Sequence, residues 1–179
     1  MTSQIESLLR TRLDPLDRLS ASLRGDHDLN PGFAPQPEFR PAAVLAPIIK
    51  RPDGWTMLFT QRAQDMPAHP GQISFPGGRM HDDDASPLET ALRETEEEIG
   101  LARSLVEPIG AWEPYQTGTG FRITPIVGLV EPGFDLILCE REVAGVFEAP
   151  LSFLFDAANH ERHETVWKGA PRAYWAMPY

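Results

Sequence analysis

Residues 86–101 read Ser-Pro-Leu-Glu-Thr-Ala-Leu-Arg-Glu-Thr-Glu-Glu-Glu-Ile-Gly-Leu, a helix with its own start and stop written in. Ser86 is a good N-cap, Pro87 fits the first helical position and Glu89 completes a Ser-x-x-Glu capping box. Gly100 suits the residue just past the C-terminus. Leu88, Ala91, Leu92, Thr95 and Ile99 share one face, which predicts a helix packed on a core. At about 100° per residue, Glu94, Glu97 and Glu98 fall within an arc of roughly 100° beside that face, and Glu96 lies outside it as a solvated residue. Like charges three or four apart repel by roughly 0.2–0.5 kcal/mol per pair. The C-terminal end of a helix already carries about half a negative charge. A bound cation accounts for the cluster, and a solvated acidic face is the alternative.

The rest of the chain supplies strands for this helix to cover. Ala42–Ile49 is a short apolar strand, 52–54 a turn and Trp55–Thr60 its hairpin partner. Gln72–Phe75 is a short strand that leads into Gly77-Gly78. Strand-like pieces follow at Val106–Trp112, Arg122–Val130, Phe134–Leu138 and Val143–Phe147, then a short helix over 150–155. Thr165–Lys168 and Arg172–Ala176 predict a closing hairpin. Upstream, Ile5, Leu8, Leu9, Leu13, Leu16, Leu19 and Leu23 follow helical spacing over 4–23, with Pro15 a break and Asp14 a cap for a second turn. Residues 25–41 are rich in Pro, Gly, Asn and Asp and read as a connecting arm. Many strands around one strong helix argue for a mixed α/β or α+β domain.

With 179 residues the chain suits one domain plus an arm. A net charge of −10 disfavours nucleic acid and anionic membranes as partners. An anionic small molecule would then bind through local Arg, Lys, backbone amides or a metal. Cys139 is the only cysteine, which excludes an internal disulfide, and it reads as a small buried residue on a strand. No signal peptide opens the sequence, and no apolar run approaches the ~20 residues of a membrane span, so a cytoplasmic location is expected.

Three carboxylates from one helix make a hard-oxygen site that suits Mg²⁺ or Mn²⁺ better than Zn²⁺, because no Cys or His has a matching spacing. Mg²⁺ bound this way usually also takes phosphate oxygens, which implies phosphoryl chemistry. Arg93, four residues from both Glu89 and Glu97, can orient a carboxylate. Asp82-Asp83-Asp84 reads as a solvated acidic loop, and His160 and His163 as surface residues. His69, in the loop before the double glycine, reads either as structural or as a substrate contact.

These residues resemble a Nudix hydrolase, whose box is Gly-x5-Glu-x7-Arg-Glu-U-x-Glu-Glu-x-Gly-U, with U bulky and apolar. Its second half stands here as Arg93-Glu94-Thr95-Glu96-Glu97-Glu98-Ile99-Gly100-Leu101. Its first half departs: Ala85 stands where the box has Glu, and Arg79 where it has Gly. The stretch Leu58-Phe59-Thr60-Gln61-Arg62-Ala63, then Gly71, then Phe75-Pro76-Gly77-Gly78, is similar to the coenzyme A pyrophosphatase branch. That branch has one extra residue and Asp-rich filling in its box. Phe59 replaces a Leu of the branch, and Pro67 stands where it has an Arg.

The resemblance implies an α/β/α sandwich on a mixed sheet, with an N-terminal helix and arm over 1–38 and a Nudix domain over 39–179. It implies hydrolysis of the diphosphate bond of coenzyme A and its thioesters, dependent on Mg²⁺ or Mn²⁺, to 3′,5′-ADP and 4′-phosphopantetheine or its acyl form. By position, Glu94, Glu97 and Glu98 are the metal ligands and Arg93 holds a glutamate. Gly77 and Gly78 shape the turn, and Arg62 and Arg79 contact phosphate. Glu142 and Glu148 are alternatives to Glu94 as the base. The family fold closes with a helix, whereas this sequence stops at Ala176-Met177-Pro178-Tyr179. A missing helix would expose apolar surface for a second subunit to cover. Hydrolysis of another nucleoside diphosphate, such as ADP-ribose or a dinucleotide, and a non-catalytic nucleotide-binding module are the competing readings.

Overall fold

The structure is a computed structural model and describes residues 2–21, 24–30, 38–167 and 169–179. It opens with helix α1 (Thr2–Arg12) and strands β1 (Arg24–Gly25), β2 (Arg40–Arg51) and β3 (Gly54–Arg62). The short strands β4 (Ile73–Ser74) and β5 (Gly77–Arg79) lead to helix α2 (Pro87–Ile99). Strands β6 (Val106–Ala111), β7 (Tyr115–Gln116), β8 (Phe121–Val130) and β9 (Val143–Pro150) follow. Helix α3 (Leu151–Leu154) and the hairpin β10 (Glu161–Trp167) and β11 (Ala170–Ala176) close the chain.

Strands β1 to β9 form one mixed sheet in the order β1-β7-β8-β2-β3-β4, with β5 added to β2, β6 to β8 and β9 to β3. β2 runs parallel to β8 and antiparallel to β3. β2 has its β8 partner along one edge, so its other edge is shared. Ala42–Val44 pair with β5, whereas Ile48–Arg51 pair with β3. The sheet therefore forks. Ser74 lies opposite Thr60 on β3, and Gly77 opposite Val44 on β2, so Phe75-Pro76 crosses the gap between the two branches. The Leu45 amide donates to the Pro76 carbonyl and fixes the crossing.

Each face of the sheet is covered by helix. Ala91, Leu92 and Ile99 of α2 bury against Ala43, Leu45, Leu58 and Ile126. Leu9 of α1 and Leu151 of α3 bury on the other face against Ala46, Ile48, Met57 and Val127. Each buried Leu, Ile, Val or Met among them contributes roughly 1.5–3 kcal/mol, an Ala methyl less. The result is the expected α/β/α sandwich on a mixed sheet, with α1 supplying part of the second helical layer.

Several local expectations are corrected. The N-terminal helix ends at Arg12; Asp14 bridges Ala111 of β6, a single turn follows in which the Arg18 amide donates to the Pro15 carbonyl, and the Asp14 carboxylate accepts from the Ser20 amide beyond it. Leu23 and residues 31–37 of the expected arm lie outside the described residues. Phe134–Leu138 has the alternation of a strand, since Phe134, Leu136 and Leu138 pack on the core, yet it joins no sheet. It crosses the end of α2 instead: the Ile137 and Cys139 amides donate to the Ile99 and Glu98 carbonyls. Unpaired carbonyls at a helix C-terminus need such donors. Cys139 is accordingly half-buried beside a turn, not sunk in a strand.

Candidate active site

Helix α2 starts and stops where its punctuation says. Ser86 Oγ accepts from the Glu89 amide, and Gly100 adopts a left-handed φ of 69° with its amide on the Glu96 carbonyl. The Glu89 carboxylate turns to Arg103, which also pairs with Glu96. Glu96 is thus solvated and paired, away from the other glutamates.

Arg93 organises the acidic arc. Its Nε and NH2 donate to the two oxygens of Asp84, each at 2.9 Å, and its NH1 donates to Glu94 at 2.9 Å and Glu97 at 3.0 Å. Asp84 is 7% exposed and also accepts from the His81 amide and the Thr90 hydroxyl. The Arg93 guanidinium holds the Asp84 carboxyl well below the usual range. The solvated-loop reading of Asp84 is therefore wrong, while Asp82 and Asp83 are exposed as expected. The carboxylate missing at Ala85 comes from Asp84, one residue earlier. A carboxylate sought only eight residues before Arg93 misses it; the Thr90 and Arg93 partners above it on the helix were the available signal.

Glu98 is buried at 5% exposure and accepts from the Gly77 amide at 3.0 Å. Burial pushes its carboxyl up to about 7, with the Gly77 amide opposing, Glu94 and Glu142 adding, and Arg62 opposing. The Ala63 amide donates to the Glu142 carbonyl, which sets Glu142 beside the end of β3. Burial also raises Glu94, against the pull of Arg93. Gly78 rests directly on Glu94: a Cβ there would stand 2.5 Å from a carboxylate oxygen. Gly77 has a φ of 146° and lies so close to Ala43 and Val44 that no side chain fits.

Glu148 is tied to Arg51 at 2.6 Å and accepts from Thr56, at the hairpin end of β3. Arg79 is exposed, its carbonyl accepting from Arg93 NH2. His69 is exposed, with a φ of 56°. His160 is exposed and His163 is 43% exposed, stacked on Tyr174.

The donor set fits a hard divalent ion: carboxylates of Glu94, Glu97 and Glu98 stand on one helix against a glycine turn. Glu94 Oε2, Glu97 Oε1 and Glu98 Oε1 take no hydrogen bond among the described residues. The three groups do not already converge, because no three His, Cys, Asp or Glu side chains among the described residues are close enough to share one ion. Arg93 separates Glu94 from Glu97.

The sequence pattern of the NUDIX domain matches residues 39–169. The chain belongs to the Nudix family. An uncharacterized Nudix hydrolase, NudL of Escherichia coli K12, is 39% identical over 140 residues, covering 78% of this chain and 72% of NudL. NudL of Shigella boydii serotype 18 matches to the same extent. Among solved structures, the Nudix hydrolase RenU of M. smegmatis superposes with a TM-score of 0.55 at 17% identity, over 80% of this chain and 81% of RenU. A C. elegans Ap4A hydrolase binary complex reaches 0.50 at 19% identity, over 62% of this chain and 80% of that one. The family match and the likeness to NudL make the chain a Nudix pyrophosphohydrolase, and the superpositions show the shared fold. Nudix hydrolases generally use divalent ions such as Mg²⁺ or Mn²⁺. Among the described residues no helix is long and apolar enough to cross a membrane.

Proposed function

We propose that this Nudix hydrolase cleaves the diphosphate bond of coenzyme A and its acyl thioesters, in the cytoplasm, giving 3′,5′-ADP and 4′-phosphopantetheine or its acyl form. The observation that carries the reading is the union of two sequence stretches in one place. The Phe75-Pro76-Gly77-Gly78 turn, which with Leu58–Ala63 marks the coenzyme A branch, sits on Glu98 and Glu94 of the box.

Glu94, Glu97 and Glu98 are the residues that would hold Mg²⁺ or Mn²⁺, which when bound would neutralise phosphate charge and activate water. Arg93, gripped by Asp84, keeps Glu94 and Glu97 at a fixed spacing. Arg62 and Arg79 meet the substrate phosphates, with Gly77 and Gly78 admitting them close to backbone. Glu142 is favoured over Glu148 as the proton acceptor, because its backbone carbonyl is tied to Ala63 beside Arg62, whereas Glu148 is paired with Arg51 away from the glycine turn. Residues 39–179 carry the reaction, and the described residues upstream of them, 24–30 in particular, brace it. Asp26 of that segment accepts from the Tyr115 hydroxyl, the Gly118 amide and Arg172.

A substrate panel ranked by kcat/KM tests the assignment. Coenzyme A or an acyl-coenzyme A leads the panel and yields 3′,5′-ADP. A lead for ADP-ribose or a dinucleotide, or binding with no turnover in Mn²⁺, overturns it.

A further inference from the structure

The two faces of the sheet are covered unequally where β5 joins it. On the α2 side, Ala43 and Leu45 of β2 and Thr124 and Ile126 of β8 are buried. On the opposite side, at the same level, Ala42, Val44, Ile123 and Pro125 are only half-buried. Further along that side, Ala46, Ile48 and Val127 are sealed by Leu9 of α1 and Leu151 of α3. An apolar strip is thus left on the two central strands, with Ala42 opposite Ile123 and Val44 opposite Pro125. The strip belongs to the same stretch of sheet as the glycine turn, for Gly77 lies opposite Val44 and Arg79 opposite Ala42. Paired strands run about 4.8 Å apart, so the Gly77 backbone that donates to Glu98 borders the strip directly.

Two arginines edge this strip. Residues directly opposite in a sheet share a face, as do alternate residues of one strand. Arg79, opposite Ala42, and Arg40, two residues before Ala42, therefore stand on the strip's side as diagonal neighbours. Such neighbours lie about 7–8 Å apart. Arg40 is held in place: its guanidinium lies over the Phe121 ring at 4.0 Å, and NH2 donates to the Thr119 carbonyl. That leaves the other N–H groups of the fork for a ligand. Neither Arg40 nor Arg79 pairs with a carboxylate among the described residues, in a chain of net charge −10. A guanidinium with open donors beside a diphosphate site suits a phosphate group.

An apolar strip with cations at its end fits a nucleoside that carries a phosphate of its own. Beyond the diphosphate, the pantetheine half of coenzyme A is uncharged and gives a second arginine nothing to pair with. The adenosine half carries a 3′-phosphate. A ribose esterified at its 5′ and 3′ oxygens separates the two phosphates by about the spacing of Arg79 and Arg40. We infer that Arg40 binds the ribose 3′-phosphate of the substrate, with the adenosine lying on the strip and Arg79 toward the diphosphate. Arg40 thereby selects coenzyme A over its 3′-dephospho form. The inference rests on the diphosphatase reading and adds the recognition of one phosphate to it.

The test uses the full chain and two readouts. The first is kcat/KM with Mg²⁺ for coenzyme A and for 3′-dephospho-coenzyme A. The second is calorimetric binding of 3′,5′-ADP and of 5′-AMP, which needs no turnover. The protein favours coenzyme A over its dephospho form, and 3′,5′-ADP over AMP, by at least about tenfold, the size of one charge-assisted hydrogen bond. Arg40→Gln, at an exposed strand end, brings both ratios close to one. Arg40→Lys restores part of each, and the loss falls on KM more than on kcat. A protein that treats the two forms alike, or ratios that Arg40→Gln leaves in place, overturns the Arg40 assignment and leaves the diphosphatase reading standing. Binding of 3′,5′-ADP that Arg40→Gln weakens, with no hydrolysis of any coenzyme A compound, supports the phosphate site and overturns the diphosphatase reading.

Discussion

Asp84 grips Arg93 by two parallel hydrogen bonds of 2.9 Å, and the third nitrogen of the same guanidinium reaches Glu94 and Glu97. One buried carboxylate thus sets the attitude of an arginine, and the arginine sets the spacing of two glutamates. Removing Asp84 leaves Arg93 partly buried with fewer partners. Asp84→Ala is expected to cost about 2–4 kcal/mol of stability, by the penalty for breaking a buried pair. Denaturant unfolding measures this, and the same variant should lose kcat more than it raises KM. A loss below 0.5 kcal/mol, the size of an ordinary surface change, would contradict the gripping role.

Glu97 and Glu98 separate function from packing. Glu97 is 61% exposed and Glu98 only 5%. Each Gln variant should lower kcat by at least about a hundredfold through lost metal positioning. Glu97→Gln should leave the melting temperature nearly unchanged. Steady-state rates and thermal melts report the two effects, and near-normal rates in both variants would remove these residues from the site.

The two glycines of the turn should fail in different ways. In Gly78→Ala the new methyl meets the end of the Glu94 side chain and not backbone, so the fold survives while Glu94 is pushed from its place beside Arg93 and activity falls. In Gly77→Ala it meets the backbone of β2 at a φ of 146°, which strains the chain itself. That strain is of order 1–3 kcal/mol. Melting curves beside rates distinguish the two; equal losses of stability would refute the assignment.

Stability of the metal-free protein should carry two opposing acid dependences. Glu98 is raised from 4.5 to about 7, so between those values the folded state keeps a proton that the unfolded chain has shed. Its contribution therefore declines as pH rises through that window. Asp84 is lowered from 3.8, so its contribution is present above that value and disappears as pH falls further. Urea unfolding in EDTA across pH 3 to 8 reads both. Glu98→Gln should remove the decline on the neutral side and leave the acid limb.

Punctuation made helix α2 legible from sequence, because Ser86, Pro87 and Gly100 act through local backbone bonds. The β2–β3 hairpin was legible for the same reason, through its turn at 52–54. Phe134–Leu138 was misread because its alternation is real while its backbone partners, the Ile99 and Glu98 carbonyls, are distant in sequence. Asp84 was missed as a partner because one inserted residue moved it off the expected spacing. The stack of Phe75, Phe59, Phe147 and Tyr179 was invisible because these rings meet only through register and the fold of the last residues.

The most direct measurement is the anomalous scattering of Mn²⁺ in crystals grown with a non-hydrolysable coenzyme A analogue. The account predicts a peak within coordination distance of Glu94, Glu97 and Glu98, roughly 2.0–2.4 Å, with a diphosphate oxygen as a further ligand. An ordered analogue with no ion among those glutamates would contradict it.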